Sequence, residues 1–574
     1  MGCVVSYALH KTLRFTGLSA RSNFAKGRLA GMQDAMPEII RGISPHRRLR
    51  RGLMASSVIA LGLVSATAIP ARAQWTGTAS SDWFNASNWS AGVPTNATST
   101  VIDTVTPNAT VIGVPGAQST GLRVAVFGTG ALTIQNGGTM NNTLGIIGDK
   151  AGSTGTVLVT GAGSTWANNG NDLYVGADGN GTLIIQNGGA VSNRYGIVAG
   201  YFGSTGAATV DGAGSTWTNS QDLSVGGSGN GNPNSVRGTL TISNGGAVSN
   251  IGGTIGFDSG STGIVTVDGA GSTWTNSSDL ILGLLGTASG TLTISNGGVV
   301  SATTTTLAAG VGSTGTLNIG AALGQAAVAP GTFNTASVDF GDGAGEIVFN
   351  HTAANYIFSP TITSFGAGTG SVLVEAGTTT LTAVSSYIRP TIVDGGTLLV
   401  TGSIAGSSLT VNTGGTLGGN GTVGTTSING GTLAPGNASG ALTVNGNLSF
   451  TAASSYDVGF SASGNDRTNI TGTATLGGAT VNANFAPGAF IAKQYTIVNA
   501  TGGLGGTTFG SLSTNLSSNF ATSLSYDANN AYLDLTLLFM GTPGSGLNVN
   551  QTKVANTLTD YFNRTGGIPL VIAG

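Results

Sequence analysis

Side chains that could support acid–base or nucleophilic catalysis are scarce along most of this 574-residue chain. Beyond residue 73 the one histidine is His351, in EIVFNHTAAN, and the only glutamates are Glu346 and Glu375. A catalytic triad would need His351 beside a serine on a recognisable turn. The nearest candidate, GFDSGS (256–261), occupies the position of GYFGS in an earlier repeat, so we interpret it as a turn. We predict no catalytic residues and no enzyme activity.

Recurrent aspartates are the other group that could do chemistry, as calcium ligands. They stand at matching positions of successive repeats: Asp172, Asp222, Asp279, Asp211 and Asp268. Calcium-binding β-rolls use a dense G-G-x-G-x-D repeat, which this chain lacks. A single aspartate per turn is expected to accept hydrogen bonds from local backbone amides. The sequence has neither a Cys/His cluster for zinc nor a Walker loop for phosphate, so we predict no metal and no cofactor.

The elements that carry these residues belong to a Gly/Ser/Thr-rich module that recurs at residues 152–189, 203–246 and 260–298. Trp166, Trp217 and Trp274 mark its register, 51 and then 57 residues apart. Apolar residues alternate within each module, as in strands with one buried face, and GAGS, DGNG and QNGG segments separate them as turns. This self-similarity predicts an all-β solenoid, a right-handed parallel β-helix, whereas a β-sandwich would not explain the period. We expect the three tryptophans to stack at a corner of the coil.

The N-terminal leader differs in charge from the rest of the chain. Residues 1–73 have a net charge of +9 and residues 74–574 a net charge of −11, which disfavours nucleic acid as a partner. An arginine-rich run, the apolar segment 53–69 and Ala71-Arg72-Ala73 are typical of a Sec signal peptide. We therefore predict that 1–73 is a flexible extension plus signal peptide, cleaved between Ala73 and Gln74. The single cysteine, Cys3, falls within it.

A tryptophan-rich segment, QWTGTASSDWFNASNWSAGVPT, follows the predicted cleavage site. Solenoids have open ends that must be covered. We predict that Trp75, Trp83 and Trp89 cover the first coil, within a cap at residues 74–115. An aromatic platform that binds sugars is the alternative.

The C-terminal part of the chain contains an ordered series of motifs. GGTLGGNGTVG and APGNASGALTVNGNLSF are followed by DRTNITGTATLGGATV and then by NQTKVANTL. This series, over roughly residues 390–565, closely resembles the C-terminal passenger region of bacterial autotransporters (type V secretion). The resemblance implies β-helix repeats at 116–450, an autochaperone-like cap at 451–540, and a linker and helix at 541–574 that lead toward a translocator barrel.

The predicted C-terminal helix also follows from its own residues. Asn550 could cap it, and an apolar stripe would form from Val554, Leu558, Tyr561 and Phe562. Too few residues follow for the eight or more strands of a translocator barrel. The expectation is therefore a truncated product, a fragment, or a partner of a separately encoded pore.

These observations favour an exported passenger at the outer membrane, at the cell surface or outside the cell, acting as a non-catalytic adhesion or structural rod. Its expected partners are the Sec machinery, an outer-membrane translocator barrel, and host or surface glycans or proteins. The alternatives are a polysaccharide-active β-helix enzyme, which would need carboxylates clustered on successive coils, and a non-functional autotransporter remnant.

Overall fold

A computed structural model describes residues 72–228, 235–436, 440–489, 491–538 and 546–566. The predicted leader lies outside these residues except for Arg72 and Ala73. From residue 72 onward, the described residues form short strands in which buried and exposed residues alternate. Turns separate these strands. Strands from consecutive coils pair in parallel, and each coil contributes one strand to each of three sheets, as in a right-handed parallel β-helix. The fold prediction is confirmed.

The longest sheet, sheet 3, runs through most of the molecule. Its sixteen parallel strands, spaced about 4.8 Å apart, span roughly 70 Å. Its strands are, in order, Thr110–Ile112, Thr129–Ile134, Thr154–Thr160, Asn180–Gln186, Thr205–Asp211, Arg237–Ser243, Thr262–Asp268, Ser289–Ser295, Thr314–Gly320, Ala344–Asn350, Thr369–Ala376, Thr391–Val393, Leu409–Asn412, Thr426–Asn429, Leu448–Phe450 and Ala474–Thr475.

Two further sheets complete the coils of the first half. Sheet 1 consists of Arg72–Gln74, Ser99–Ile102, Gly121–Val124, Leu144–Ile147, Leu173–Val175, Gly196–Val198, Leu223–Val225, Gly253–Ile255, Leu280–Leu282, Thr304–Leu307, Ser337–Phe340 and Thr361–Ser364. Sheet 2 consists of Ala117–Gln118, Thr139–Asn142, Thr165–Asn168, Ala190–Asn193, Thr216–Asn219, Ala247–Asn250, Thr273–Asn276, Val299–Ser301 and Thr332–Asn334.

Different sheets complete the coils of the second half. Sheet 4 consists of Tyr356–Phe358, Thr378–Leu381, Thr397–Val400, Thr416–Gly419, Thr432–Pro435, Ser455–Ser461, Thr480–Phe485 and Ser511–Thr514, with Gly464–Asn465 paired to Ser455–Ser461. Sheet 5 consists of Ser403–Ile404, Thr422–Val423, Ala441–Val444, Arg467–Ile470, Gln494–Ala500, Asn530–Leu537 and Phe520–Tyr526. In this sheet Asn530–Leu537 runs antiparallel to both of its neighbours. Within the described ranges the helical elements are a 3-10 turn, Ala86–Asn88, and a C-terminal helix, Val549–Thr565. Among the described residues, no helix combines the length and hydropathy that a membrane span requires.

The register of sheet 3 explains the length of the sequence module. Thr154 pairs with Asn180, and Asn180 pairs with Thr205, so one coil takes about 25 residues and one module forms two coils. The two coils of a module differ. We call the coil with the T-W-x-N strand the tryptophan coil, and the coil with the Q/S-N-G-G turn the asparagine coil. In that turn Asn187 and Gly188 both adopt positive φ, which asparagine and glycine tolerate best.

Candidate functional site

The repeated tryptophans lie in the interior of the coil, at the centre of sheet 2 strands, so the predicted corner stack is wrong. Trp217 is fully buried and its Nε1 donates to Asn193 Oδ1 of the preceding coil at 2.7 Å. Asn193 Nδ2 in turn donates to Asn219 Oδ1 at 2.6 Å. The same set of bonds recurs in the other two modules. A Cβ on Gly196 would lie 3.0 Å from Trp217 Cζ2, so glycine leaves room for the ring.

Four of the five recurrent aspartates accept hydrogen bonds from the neighbouring coil, which corrects the expectation that their bonds are local. Asp268 Oδ1 accepts from Ser295 Oγ at 2.6 Å and from Asn296 Nδ2 at 2.7 Å. Asp211 makes the same pair of bonds to the next coil, and Asp222 and Asp279 accept bonds from Gly252 N and Thr304 Oγ1. Asp172 is buried. Among the residues that the structure describes, His, Cys, Asp and Glu form no group of three suited to a metal ion.

His351 is completely buried and its Nε2 lies 2.9 Å from Thr379 Oγ1. Burial lowers the pKa of His351 from its usual 6.5, and the contact with the Ala353 backbone opposes that change. In the GFDSGS turn, Ser261 Oγ donates to the carbonyl of Asp258 at 2.6 Å. Thr379, whose hydroxyl lies next to His351, is itself fully buried.

The two glutamates lie on neighbouring strands of sheet 3. Burial raises the pKa of Glu375, and the charges of Asp394 and Glu346 raise it further. Glu346 Oε1 also lies 3.5 Å from Ser371 Oγ, on the next coil. Because the enzyme alternative requires carboxylates clustered on successive coils, Glu375 is the residue through which that alternative can be tested.

The N-terminal tryptophans form a buried cluster. Trp89 makes edge contacts with Trp75 and Trp83, with ring centroids 4.9 and 4.7 Å apart. All three are at most 5% exposed, so the sugar-platform alternative is wrong for these rings. Ala73 and Gln74 lie in the first strand, paired with Thr100 and Val101. Cleavage between them stays a prediction.

The cap of the C-terminal helix lies two residues earlier than expected. Asn548, not Asn550, is the N-cap, and it forms a capping box with Gln551. Phe562 is buried as expected and packs on Phe520, but Val554 and Tyr561 are 59% and 50% exposed. The buried face instead includes Ala555 and Thr559, because Asn563 fixes the helix by bonding both the N–H and the carbonyl of Leu537.

A tyrosine patch at sheet 1 was not anticipated. It consists of Tyr174 on the strand Leu173–Val175, Arg194 and Tyr195 just before the strand Gly196–Val198, and Tyr201 just after that strand. Tyr174 and Tyr201 stack with centroids 5.7 Å apart at 22°, and their hydroxyls lie 3.3 Å apart. The Arg194 guanidinium lies 5.1 Å from the centre of the Tyr195 ring. The signal that could have revealed the patch is departure from the repeat, since Ser224 and Gly252 fill the positions of Tyr174 and Tyr195 in the next module.

Part of this chain resembles a known protein in sequence. No protein-family model matches the chain. A curated protein named Adhesin BmaC autotransporter, from Brucella suis biovar 1 (strain 1330), is 38% identical over 261 residues, covering 42% of this chain. The resemblance to autotransporter passengers is confirmed. The match covers only 7% of that adhesin, so this autotransporter-like chain corresponds to a small part of its length.

A solved structure was also found, the crystal structure of the Haemophilus influenzae Hap adhesin. It is 12% identical, with a TM-score of 0.28, and the match covers 76% of this chain and 61% of that chain. Because the TM-score is low, the description of this autotransporter-like chain as a β-helix rests on its own strand pairing.

Proposed function

We propose that this chain is an exported autotransporter passenger that acts at the cell surface or outside the cell as a non-catalytic adhesion or structural rod. The 38% identity to an autotransporter adhesin supports this proposal most strongly. The stacked coils add a physical reason, because repeated weak contacts along one surface gain avidity from multivalency. Host or surface glycans or proteins are the partners in this proposal.

The export route belongs to the same proposal. The Sec machinery recognises the leader, which is cleaved between Ala73 and Gln74, and an outer-membrane translocator completes export. Within the passenger, residues 74–115 form the N-terminal cap, 116–450 the repeats and 451–540 an autochaperone-like cap, and residues 541–574 lead toward the translocator. The buried aromatic residues between Phe450 and Phe509 support the assignment of the autochaperone-like cap.

Surface display and attachment test the proposal together. Protease added to intact cells that produce the chain is expected to remove it without lysis. Latex beads coated with the purified chain should attach to cells or to extracellular matrix, and beads coated with the heat-unfolded chain should not. Protection from protease in intact cells, or equal attachment of both bead types, would contradict the proposal.

The alternative enzyme has its own test. A polysaccharide hydrolase or lyase needs an acid and a base, and the raised pKa of Glu375 favours its protonated, acid form. We expect the purified chain to release no reducing or unsaturated ends from a panel of polysaccharides. Release that disappears in Glu375→Gln, but persists in the matched Asp457→Asn variant on sheet 4, would establish the enzyme instead.

A further inference from the structure

We propose that the tyrosine patch is a binding site for a neutral glycan. The inference deepens the proposed adhesive function and rests on it, because it names the class of ligand that the outer face of sheet 1 would contact. The patch lies on consecutive coils of the first module, whose strands Leu173–Val175 and Gly196–Val198 pair in register.

The strand geometry presents Tyr174 to solvent. Leu173 and Val175 on either side of it are completely buried, so the alternation of a strand directs Tyr174 outward. A Cβ on Gly200 would lie 3.2 Å from Tyr174 Cδ1, so glycine at this turn leaves space for the ring. Tyr174, Tyr195 and Tyr201 are all half-buried. Each therefore rests on the sheet while part of its surface stays accessible.

The fold does not require these side chains. The strand Leu223–Val225 has Ser224 where Leu173–Val175 has Tyr174, and Gly252 precedes Gly253 where Tyr195 precedes Gly196. Both later strands keep the same parallel register without a tyrosine at these two positions, and Phe257 lies in the turn after the second of them. Because equivalent strands stack without these tyrosines, we infer that the tyrosines have a role other than packing.

Charge around the patch also differs from the rest of the chain. Between residues 121 and 202 there are three basic and three acidic residues, whereas residues 74–574 as a whole have a net charge of −11. Asp149 is paired with Arg123 and lies 3.6 Å from Lys150 Nζ, which is 3.8 Å from Asp178 Oδ2. A locally neutral, paired set of charges attracts neither polyanions nor polycations, and it can hydrogen-bond to uncharged hydroxyl groups.

The size of the patch favours a glycan over a protein. A stable protein interface buries about 800 Å² on each partner, from about 20 to 30 residues. Here the aromatic surface extends over two coils, about 10 Å along the axis, and Ser224 and Thr254 replace it on the following strands. A surface of this extent matches one or two sugar rings, whose apolar C–H faces pack on aromatic rings while their hydroxyls bond to the polar neighbours. Tyrosine and arginine also occur at protein hot spots, so a protein is the competing occupant.

The test uses the purified full chain and immobilised oligosaccharides of glucose, galactose, mannose and N-acetylglucosamine, with sialylated and sulfated oligosaccharides as charged comparators. The variant is Tyr174→Ser/Tyr201→Ser, which introduces at the first site the residue of the next module. Phe365→Ser is the matched control, because Phe365 is 63% exposed and follows a later strand of sheet 1. Tyr201→Ser alone is the second variant, should the double variant lose its cooperative unfolding transition.

We expect the wild type and Phe365→Ser to bind at least one neutral oligosaccharide, with affinity about tenfold or more weaker in the tyrosine variants. Equal binding by all variants, preference for the charged oligosaccharides, or binding to immobilised protein only would each overturn the proposal. Attachment of cells that display the chain distinguishes a failure of the patch proposal from a failure of the proposed adhesive function. Attachment unaffected by the tyrosine changes refutes the patch alone, whereas no attachment by the wild type refutes the adhesive function.

Discussion

The repeat region, Thr129–Gly320, and the C-terminal region, Thr391–Leu537, build the same kind of coil from different contacts. In the repeat region coils of about 25 residues alternate between two types, and buried Trp–Asn bonds join each type to the other. At the start of the C-terminal region Thr391 pairs with Leu409, and Leu409 with Thr426, so these coils shorten to about 18 residues before later coils lengthen again. The Trp–Asn bonds do not recur among the described residues of that region.

Non-repeating aromatic contacts take over near the C-terminal end. Tyr456 stacks on Phe509 with centroids 5.5 Å apart, and its hydroxyl donates to the Ile497 carbonyl at 2.6 Å. Phe460 stacks on Phe485 at 4.3 Å. The comparison indicates that the stability of the repeat region depends on the order of its coils. The stability of the C-terminal region depends on individual large side chains.

Deleting coils gives the largest expected effect. Removal of residues 205–261 joins an asparagine coil to a tryptophan coil and brings Trp274 to Asn193. Removal of residues 205–236 stacks two asparagine coils, which leaves a cavity where Trp217 was and loses its bond to Asn193. We expect the two-coil deletion to unfold near the wild-type denaturant midpoint and the one-coil deletion to lose about 4–8 kcal/mol locally, measured by hydrogen exchange. Equal stability of the two deletions would show that the coils are interchangeable.

Removing the Tyr456 side chain tests the C-terminal region. Tyr456→Ala is expected to cost about 3–5 kcal/mol of unfolding free energy, because a fully buried ring is lost. Tyr456→Phe keeps the ring and loses the hydroxyl bonds, so about 1–2 kcal/mol is expected. If 451–540 is the autochaperone-like cap, both variants should also slow refolding from denaturant. Unchanged refolding of Tyr456→Ala would contradict that assignment and leave the stability prediction standing.

The polar interior of the repeat gives a smaller, coupled effect. Asn250→Ala leaves Trp274 Nε1 without its acceptor and should cost about 1–3 kcal/mol. The chain itself changes both partners in the next module, with Ala302 and Phe333 at the equivalent positions. Asn250→Ala/Trp274→Phe should therefore cost about 1 kcal/mol less than the sum of the single variants, in a double-mutant cycle of chemical unfolding. Strict additivity would mean that the bond contributes little.

The sequence pattern was sufficient to predict the β-helix because period-two apolar residues and glycine turns repeat in register. It could not place the repeated tryptophans, because an inward and a corner position have the same period. It also gave Asp268 a local partner, since the residues that it binds, Ser295 and Asn296, become neighbours only when coils stack. The helix face shifted because Asn563 bonds to Leu537, a contact that no helical period contains.

The outer surface shows a second limit of prediction from a sequence repeat. A repeat predicts what is common to every coil, and the tyrosine patch consists of what is not common. Tyr174 and Ser224 occupy equivalent strands, and only the folded chain shows that Tyr201 stacks on Tyr174 across a turn. Functional side chains on a solenoid are therefore best sought where an exposed position departs from its own repeat.

The junction between the two regions gives the smallest effect, and it depends on pH. His351 lies where sheet 2 ends at Thr332–Asn334 and sheet 4 begins at Tyr356–Phe358, and it pairs with Val328 in an isolated bridge. Burial lowers the pKa of His351, so the folded chain binds this proton more weakly than the unfolded chain. Its contribution to stability is present above the usual pKa of about 6.5 and is lost as the pH falls below that value.

Acid should therefore loosen the junction before it affects either region. Between pH 7 and pH 5 we expect amide exchange, corrected for its intrinsic pH dependence, to quicken around residues 351–379 more than around Trp217 or Tyr456. His351→Gln, which keeps a side chain able to hydrogen-bond to Thr379, should remove that difference while the other regions respond as in the wild type. If the wild type and His351→Gln lose protection equally over this range, the junction is not set by this histidine, and the two regions meet without a pH-sensitive contact.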